Sequence, residues 1–213
     1  MTLPLSQVTM VGTFPPPMHG MAAVNAAVRQ RLLASAASVI VIHTAPASLD
    51  RGMLARLGRL PRVMRGLARL AGVRHVRGTA LYIGVSGGAG QVYDLAFLLL
   101  ARARGMRVFA HHHSFAYLHR RRRLASALVR AAGRHATHIT QSEGMAERLR
   151  TLYGATDVGS AVSNAVFLVD SAEPACARPR SKLHVLGFLG NIAAEKGIFE
   201  FLDLMAALRQ SGL

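Results

Sequence analysis

The chain has 213 residues, of which 51% are hydrophobic and 17% are charged. This composition can build a buried core and excludes an intrinsically disordered protein, and no apolar run reaches the ~18–20 residues that a membrane-spanning helix needs. The formal net charge of +16 indicates a polyanionic partner, such as phosphate, acidic lipid headgroups or nucleic acid.

Short apolar, β-branched runs alternate with longer helical stretches along the chain. The predicted strands cover residues 8–12, 38–44, 80–85, 107–111, 137–141 and 183–190. The predicted helices cover residues 21–35, 52–71, 91–104, 118–134, 144–152 and 196–211. This alternation predicts an α/β fold with a parallel, doubly wound sheet, whose ligand crevice lies at the carboxyl ends of the strands.

A segment rich in proline, alanine and charge (DSAEPACARPR, 170–180) divides the chain. We expect a first Rossmann-like domain at 1–171, a linker at 172–181 and the beginning of a second domain at 182–213. One strand and one helix cannot bury a core alone, so we expect the second domain to be incomplete in this sequence.

The positive charge is concentrated in one part of the chain. Seventeen arginines lie between Arg51 and Arg134, where Asp94 is the only acidic residue. The alternative to a polyanionic partner is a set of solvated faces that use arginine in place of lysine, although this does not explain the missing acids. Cys176 is the only cysteine, and the first residues lack a basic leader region. We therefore expect no internal disulfide, no signal peptide and a cytoplasmic location.

The first candidate site is the loop after the first strand. It runs from Gly12 through three prolines to His19 and Gly20, where a helix begins. Glycine allows close backbone approach, and a helix start offers free N–H groups, so a diphosphate or a sugar could bind there. The alternative is an ordinary turn between strand and helix, and the loop lacks the GxGxxG pattern of a dinucleotide site.

The second candidate site is the run of His111, His112, His113 and Ser114 at the end of a strand. Strand alternation points His112 one way and the other two histidines the opposite way. A sugar-hydroxyl contact or an acid–base role suits a strand end at the crevice. A zinc site is disfavoured because acidic residues are nearly absent nearby. The alternative is a polar strand end that meets water.

The third candidate is a basic surface suited to an anionic membrane. One part is a predicted helix, kinked by Pro61, on which arginines recur at steps of three and four beside apolar residues. The arginines of this membrane patch are Arg56, Arg59, Arg62, Arg65, Arg69, Arg120, Arg121, Arg122 and Arg123. The alternative is a solvated helix face.

The fourth candidate is the loop from Gly187 to Gly197, in which Asn191 and Lys196 stand before a helix. An ammonium group and backbone donors at a helix start suit a diphosphate.

In their order and spacing, these sites resemble the retaining glycosyltransferases of family 4, and the resemblance covers nearly the whole chain. The matching segments are Phe14-Pro15-Pro16-Pro17 with His19-Gly20, Gly190-Asn191 with Glu195-Lys196-Gly197, His112 with Ser114, Ser142-Glu143, and Ser163-Asn164. The resemblance implies the GT-B architecture, in which two Rossmann-like domains face each other. The acceptor binds the first domain, and a nucleotide-activated sugar binds mainly the second.

The resemblance also implies residue roles. His112 is the candidate catalytic residue because the matching histidine contacts the transferring sugar. The candidates for binding the donor phosphates are Gly20, Asn191 and Lys196, and those for binding the acceptor or sugar are His19, His113, Ser114 and Asn164. Retention would proceed by same-face attack, with the leaving phosphate taking the acceptor proton. No metal and no cofactor besides the nucleotide-sugar co-substrate is implied, in agreement with the lack of an Asp-x-Asp motif.

The sequence departs from the family at two of these positions. His19-Gly20 replaces the usual Gly-Gly, and Asn191 replaces an arginine that would bind phosphate through two hydrogen bonds. Since the family's glutamate-bearing motif would lie beyond residue 213, we expect this chain not to turn over by itself.

We therefore expect a glycosyltransferase that acts on a lipid-linked or polysaccharide acceptor, in the cytoplasm or peripherally at the inner face of the membrane, and no nucleic-acid partner. A sugar-nucleotide epimerase of the same architecture is an alternative, although it would need carboxylates near the crevice. A basic nucleic-acid-binding protein is another, although only 6% of residues are aromatic and no stacking platform is apparent. An inert remnant that serves as a scaffold is a third.

Overall fold

Five parallel strands form one sheet in the order β2-β1-β3-β4-β5. The computed structural model describes residues 7–16, 20–35, 38–45, 58–74, 78–167, 185–188 and 197–211. In chain order, the strands are β1 (Gln7–Gly12), β2 (Ser38–His43), β3 (Thr79–Val85), β4 (Arg107–His112) and β5 (Thr137–Ile139). Helices flank this sheet, so the predicted α/β, Rossmann-like class is confirmed.

The helices follow the strands in regular alternation. They are α1 (Gly20–Ala34), α2 (Leu60–Ala71), α3 (Gln91–Ala103), α4 (Arg123–Ala132), α5 (Glu143–Tyr153) and α6 (Ile198–Gln210), with a short 3-10 helix at Asn164–Phe167. The chain divides into two units, Met1–Ser171 and Ala172–Leu213. The identity of the second unit as the start of a donor-binding domain stays a prediction. Within the described ranges, no helix is long and apolar enough to cross a bilayer.

The inner strands β1 and β3 are buried on both faces, as is typical of parallel sheets between helices. All seven residues of β3 are buried. Leu81 and Ile83 pack in the larger core, which also contains Phe97 of α3. Tyr82, between them in sequence, packs in a second core with Met10, because alternate side chains on a strand point to opposite faces.

Two predicted helices differ from those observed. The first was predicted at 52–71, but the described residues form a helix only from Leu60. Pro61 was expected to kink the helix, whereas it lies in the first turn, where proline is favoured. In the prediction for 118–134, the helix begins only at Arg123, and Arg122 before it is extended. On a continued helix, Arg120 and Arg123 would stand three residues apart on one face and repel each other. Here the Arg122 N–H instead donates to Tyr153 Oη at 3.2 Å.

The second unit differs from the prediction at its first element. Residues 185–188, the described part of the predicted strand 183–190, contain no strand. Its helix is α6, within the predicted range 196–211.

The sheet order places two loops side by side at the ligand edge. In a 2-1-3-4-5 order the connections leave β1 and β3 in opposite directions, and the carboxyl ends of these two strands border the usual ligand crevice. We call the residues that follow the strands at this end the carboxyl edge.

Candidate functional site at the carboxyl edge of the sheet

Asn25, on α1, joins the two central strands at the carboxyl edge. Its amide Nδ2 donates to the carbonyl of Thr13 at 2.9 Å, just after β1. A Cβ atom at Gly12 would lie 2.8 Å from that Nδ2, and one at Gly84 would lie 3.1 Å from it. The two strands can hold this buried amide between them only because both positions are glycine.

A glycine loop that the sequence analysis did not select follows β3. It spans residues 86–90 (SGGAG) and ends at the N-terminus of α3. Asp94 of α3 accepts a hydrogen bond from the Ser86 N–H at 2.8 Å. Burial raises the pKa of Asp94 from 3.8 to about 7, although the hydrogen bonds from Ser86 and the charge of Arg59 lower it.

Ser114 and Arg59 lie beside the glycine loop. A Cβ atom at Gly87 would be 2.7 Å from Ser114 Oγ, and one at Gly90 would be 3.6 Å from an Arg59 guanidinium nitrogen. Arg59 also donates to the Thr44 carbonyl at 2.7 and 3.1 Å. The guanidinium carbon lies 5.4 Å from the centre of the Tyr93 ring. Backbone N–H groups, a hydroxyl and a cation therefore meet at this edge, which is a suitable set for a phosphate.

His111 and His113 point to the same face of the sheet, as the alternation predicted, and their ring centres are 4.0 Å apart. His111 Nδ1 lies 2.7 Å from Tyr82 Oη, which also donates to Asn25 Oδ1 at 3.2 Å. Burial lowers the pKa of His111 to about 4 and that of His113 to about 3. Both imidazoles are therefore neutral near pH 7 and can exchange hydrogen bonds with uncharged groups.

Gln141 connects His113 to Asn164. Its amide Nε2 lies 3.1 Å from His113 Nδ1 and donates to Asn164 Oδ1 at 3.2 Å. His113 and Asn164 were both predicted to bind the acceptor or sugar. Gln141, which the sequence analysis did not select, thus brings them together. Within the described part of the chain, the buried Nε2 atoms of His111 and His113 have no hydrogen-bond partner.

His112 is fully buried and lies on the other face of the strand. Its Nδ1 is 2.7 Å from Tyr117 Oη, and its Nε2 is 2.9 Å from His138 Nδ1. Burial lowers the pKa of His112 well below its usual value, and that of His138 to about 4. The catalytic role of His112 stays a prediction, and direct contact with a sugar would require the replacement of one of these two hydrogen bonds.

The predicted membrane patch is partly engaged with the carboxyl end of β2. Besides Arg59, Arg62 donates to the Ala45 carbonyl at 3.1 Å, and Arg69 donates to the Val41 carbonyl at 3.4 Å. Arg65 is exposed on α2, as are Leu60 and Met64. The second part of the patch, Arg120 to Arg123, is also exposed.

One predicted site residue has no close contact, and several others lie outside the described residues. Gly20 is the exposed first residue of α1, and a Cβ atom there would meet nothing within 4 Å. His19, Arg56, Asn191 and Lys196 lie outside the described residues. Among the residues that are described, no group of three or more His, Cys, Asp or Glu side chains could hold a metal ion.

The residues missed by the sequence analysis are of two kinds. The glycine loop carries a local signal, because glycines at 87, 88 and 90 stand between a strand and a helix. Asn25, Tyr82, His138 and Gln141 carry none, since each is identified only by a partner distant in sequence. A scan against models of protein families found no match to this chain, and a search of curated proteins found none either.

Proposed function

We propose that the first unit is the acceptor-side domain of a retaining, nucleotide-sugar-dependent glycosyltransferase of the GT-B type. The observation that carries the proposal is the presence of phosphate-binding and hydroxyl-binding groups together at the carboxyl edge. The glycine loop and Arg59 supply the first kind of group. Ser114, His113 and the Gln141–Asn164 pair supply the second.

The neutral state of the histidines supports a sugar ligand. A cationic imidazole would favour a carboxylate or a phosphate, whereas a neutral one both donates and accepts hydrogen bonds. Burial keeps the pKa of His113 at about 3, so its ring stays uncharged near pH 7. A sugar hydroxyl matches this dual capacity, and a phosphate of the same ligand would lie toward the glycine loop.

In the proposed reaction, the bond between the sugar and its nucleotide diphosphate breaks, the sugar joins an acceptor hydroxyl on the same face, and the leaving phosphate takes the acceptor proton. Positive groups near the leaving phosphate stabilise the charge that develops there. The roles of Gly20, Asn191 and Lys196 at the donor phosphates, and of His112 at the transferring sugar, remain part of this proposal.

Glucose 1-phosphate is a suitable first probe because it combines a hexose with a phosphate. We expect it to shift the amide resonances of residues 86–90 and 113–114 in a ¹⁵N-labelled chain. UDP-glucose and GDP-mannose serve as donor probes in parallel titrations. Arg59→Gln should weaken glucose 1-phosphate binding about tenfold, because it removes a charge-assisted contact of ~1.5 kcal/mol.

Arg29→Gln is the matched control, since it removes one exposed arginine from α1 and should leave the affinity unchanged. Thermal melts of both variants establish that each is folded. Strong, salt-dependent binding of a DNA duplex, together with no response to any of the three sugar phosphates, would contradict the proposal and favour a nucleic-acid-binding protein.

We further propose that α2 rests on an anionic membrane surface near the acceptor. Leu60 and Met64 are 46% and 56% exposed, one turn apart, and the exposed Arg62 and Arg65 flank them. An exposed apolar pair between arginines is the pattern of a helix that lies in the headgroup region.

Liposome flotation tests this membrane contact. The chain should float with vesicles that contain 30 mol% phosphatidylserine, and the double variant Arg62→Glu/Arg65→Glu should remain at the bottom, since ~1 kcal/mol of attraction is lost per arginine. The control Arg29→Glu/Arg134→Glu makes the same change in net charge on exposed residues of the first unit outside α2. Equal loss in both double variants would show that only the net charge matters, and α2 would not be the contact.

A further inference from the structure

A cavity of 780 Å³ opens at the amino ends of β4 and β5, the opposite end of the strands from the carboxyl edge. We call it the basic cavity. Its lining includes four arginines, namely Arg102, Arg107, Arg130 and Arg134. Its volume lies within the range of small-molecule sites in proteins, roughly 300–1,000 Å³.

Among the described residues, the side chains of these four arginines have few hydrogen-bond partners. Arg102 Nη1 donates to the Arg130 carbonyl at 3.1 Å, and Arg134 Nε donates to His135 Nε2 at 3.0 Å. The Arg107 guanidinium lies over the Phe109 ring, with its carbon 4.9 Å from the ring centre. Each guanidinium has five N–H donors, so these contacts leave the majority available to a ligand.

None of the described carboxylates forms an ion pair with these arginines. Asp157, adjacent to the cavity-lining Thr156, accepts a hydrogen bond from Thr137 Oγ1 at 2.8 Å. Four exposed cations around one concavity, without an ion pair to any carboxylate of the described residues, raise the local concentration of anions.

The lining of the basic cavity is apolar between the arginines. Met106, Val108 and Val129 are buried side chains that line it, and the ring of Tyr153 contributes an aromatic wall. A ligand that fits both parts has an apolar or aromatic body and several negative charges at one end. A flat or convex basic surface would suit a nucleic-acid duplex, whereas this one is concave.

We infer that the basic cavity is a binding site for an oligophosphate-bearing small molecule, of which nucleoside triphosphates are the common type. The arginines bind the phosphates through charge-assisted hydrogen bonds, and the apolar lining contacts the organic body. This site is separate from the carboxyl edge, and the inference does not depend on the glycosyltransferase proposal.

Calorimetric titration with ATP, inorganic triphosphate and adenosine, at one fixed ionic strength, tests the inference. ATP should bind, triphosphate should bind within about tenfold of ATP, and adenosine should bind at least a hundredfold more weakly, because the phosphates supply most of the interaction. Adenosine that binds as tightly as ATP, or ATP that does not bind, would overturn the inference.

The variant Arg130→Gln/Arg134→Gln should weaken ATP binding at least tenfold, since both side chains have few internal contacts and each would lose a charged contact. The control Arg29→Gln/Arg65→Gln removes the same charge from exposed residues of α1 and α2, which do not line the basic cavity. Equally weakened ATP binding in both variants would show that the affinity depends on net charge alone, and would overturn the inference.

Amide resonances locate the site independently of affinity. ATP should shift Gly105, Gly133 and Gly154, which line the basic cavity. Shifts confined to residues 86–90 and 113–114 would place the phosphates at the carboxyl edge and overturn the inference. The proposed glycosyltransferase function would be unaffected by that result.

Discussion

Lowering the pH from 7 to 5 is expected to reduce the free energy of unfolding of the first unit by at least ~4 kcal/mol. The cause is a group of buried or partly buried histidines. Burial lowers the pKa of His111 and His138 to about 4, that of His113 to about 3, and that of His112 well below 6.5. They are therefore neutral in the folded state across this range.

The sign follows from the proton count. Below pH 6.5 the unfolded chain protonates these histidines and the folded chain does not, so stability is fully present above pH 6.5 and is lost as the pH falls toward the folded-state pKa. At pH 5, His111, His113 and His138 each cost ~2 kcal/mol, or ~6 kcal/mol together, and His112 adds to the loss in the same direction. A typical domain has only ~5–15 kcal/mol of total stability, so the loss is a large fraction.

Asp94 opposes this trend. Its folded-state pKa is about 7 against 3.8 in the unfolded chain, so the folded chain holds the extra proton between these values. Acidification from pH 7 to 5 therefore stabilises the fold by ~2 kcal/mol through Asp94, which leaves the net loss of at least ~4 kcal/mol. Asp94→Asn should remove this compensation and increase the loss between pH 7 and 5 to at least ~6 kcal/mol.

Urea unfolding at pH 7 and pH 5, followed by circular dichroism, measures both quantities. His138→Gln should reduce the acid-induced loss by ~2 kcal/mol. His135→Gln, which changes an exposed histidine near the same strand, is the matched control and should leave the loss unchanged. A stability that is equal at the two pH values would contradict the neutral state of these histidines.

Gly66→Ala is expected to destabilise the first unit by ~2 kcal/mol, although alanine favours helices. Gly66 lies on the buried face of α2. A Cβ atom there would be 2.6 Å from Ile42 Cγ2 and 3.0 Å from Phe97 Cζ. Ile42 and Phe97 are 4% and 0% exposed, so neither side chain can move aside into solvent. The overpacking therefore outweighs the ~1 kcal/mol that helix propensity contributes.

Gly144→Ala gives the matched control with the opposite sign. Gly144 is also in a helix, α5, but a Cβ atom there would meet nothing within 4 Å. That variant should gain ~0.5–1 kcal/mol from helix propensity alone. Urea unfolding of both variants measures the difference. A gain for Gly66→Ala similar to that for Gly144→Ala would show that α2 does not pack closely against the sheet.

The architecture could be predicted because parallel strands buried on both faces are short, apolar and β-branched. β3 is such a run, and its seven residues are buried. The prediction was wrong about the start of α4, since the arginine run before Arg123 does not continue the helix. A pattern search for apolar residues cannot detect that like charges and the hydroxyl of Tyr153 favour an extended Arg122.

The candidate site was predictable only in part. Alternation correctly placed His111 and His113 on one face and His112 on the other. It could not show that His112 uses both ring nitrogens, because its partner His138 comes from another strand. The sequence could not show the hydrogen bonds from Gln141 to His113 and Asn164 either, since these residues are distant in sequence and meet only in the folded structure.

The hydrogen bonds of His112 fix one further property of the core. Because both rings are neutral, the contact between His112 Nε2 and His138 Nδ1 contains one proton. If His112 donates this proton, both rings are protonated at Nε2, and His112 Nδ1 accepts a hydrogen bond from Tyr117. If His138 donates it, both rings are protonated at Nδ1, and His112 Nδ1 donates to Tyr117. The two imidazoles therefore always share the same tautomer, so they switch together as one unit, and the hydroxyl of Tyr117 reverses its direction with them.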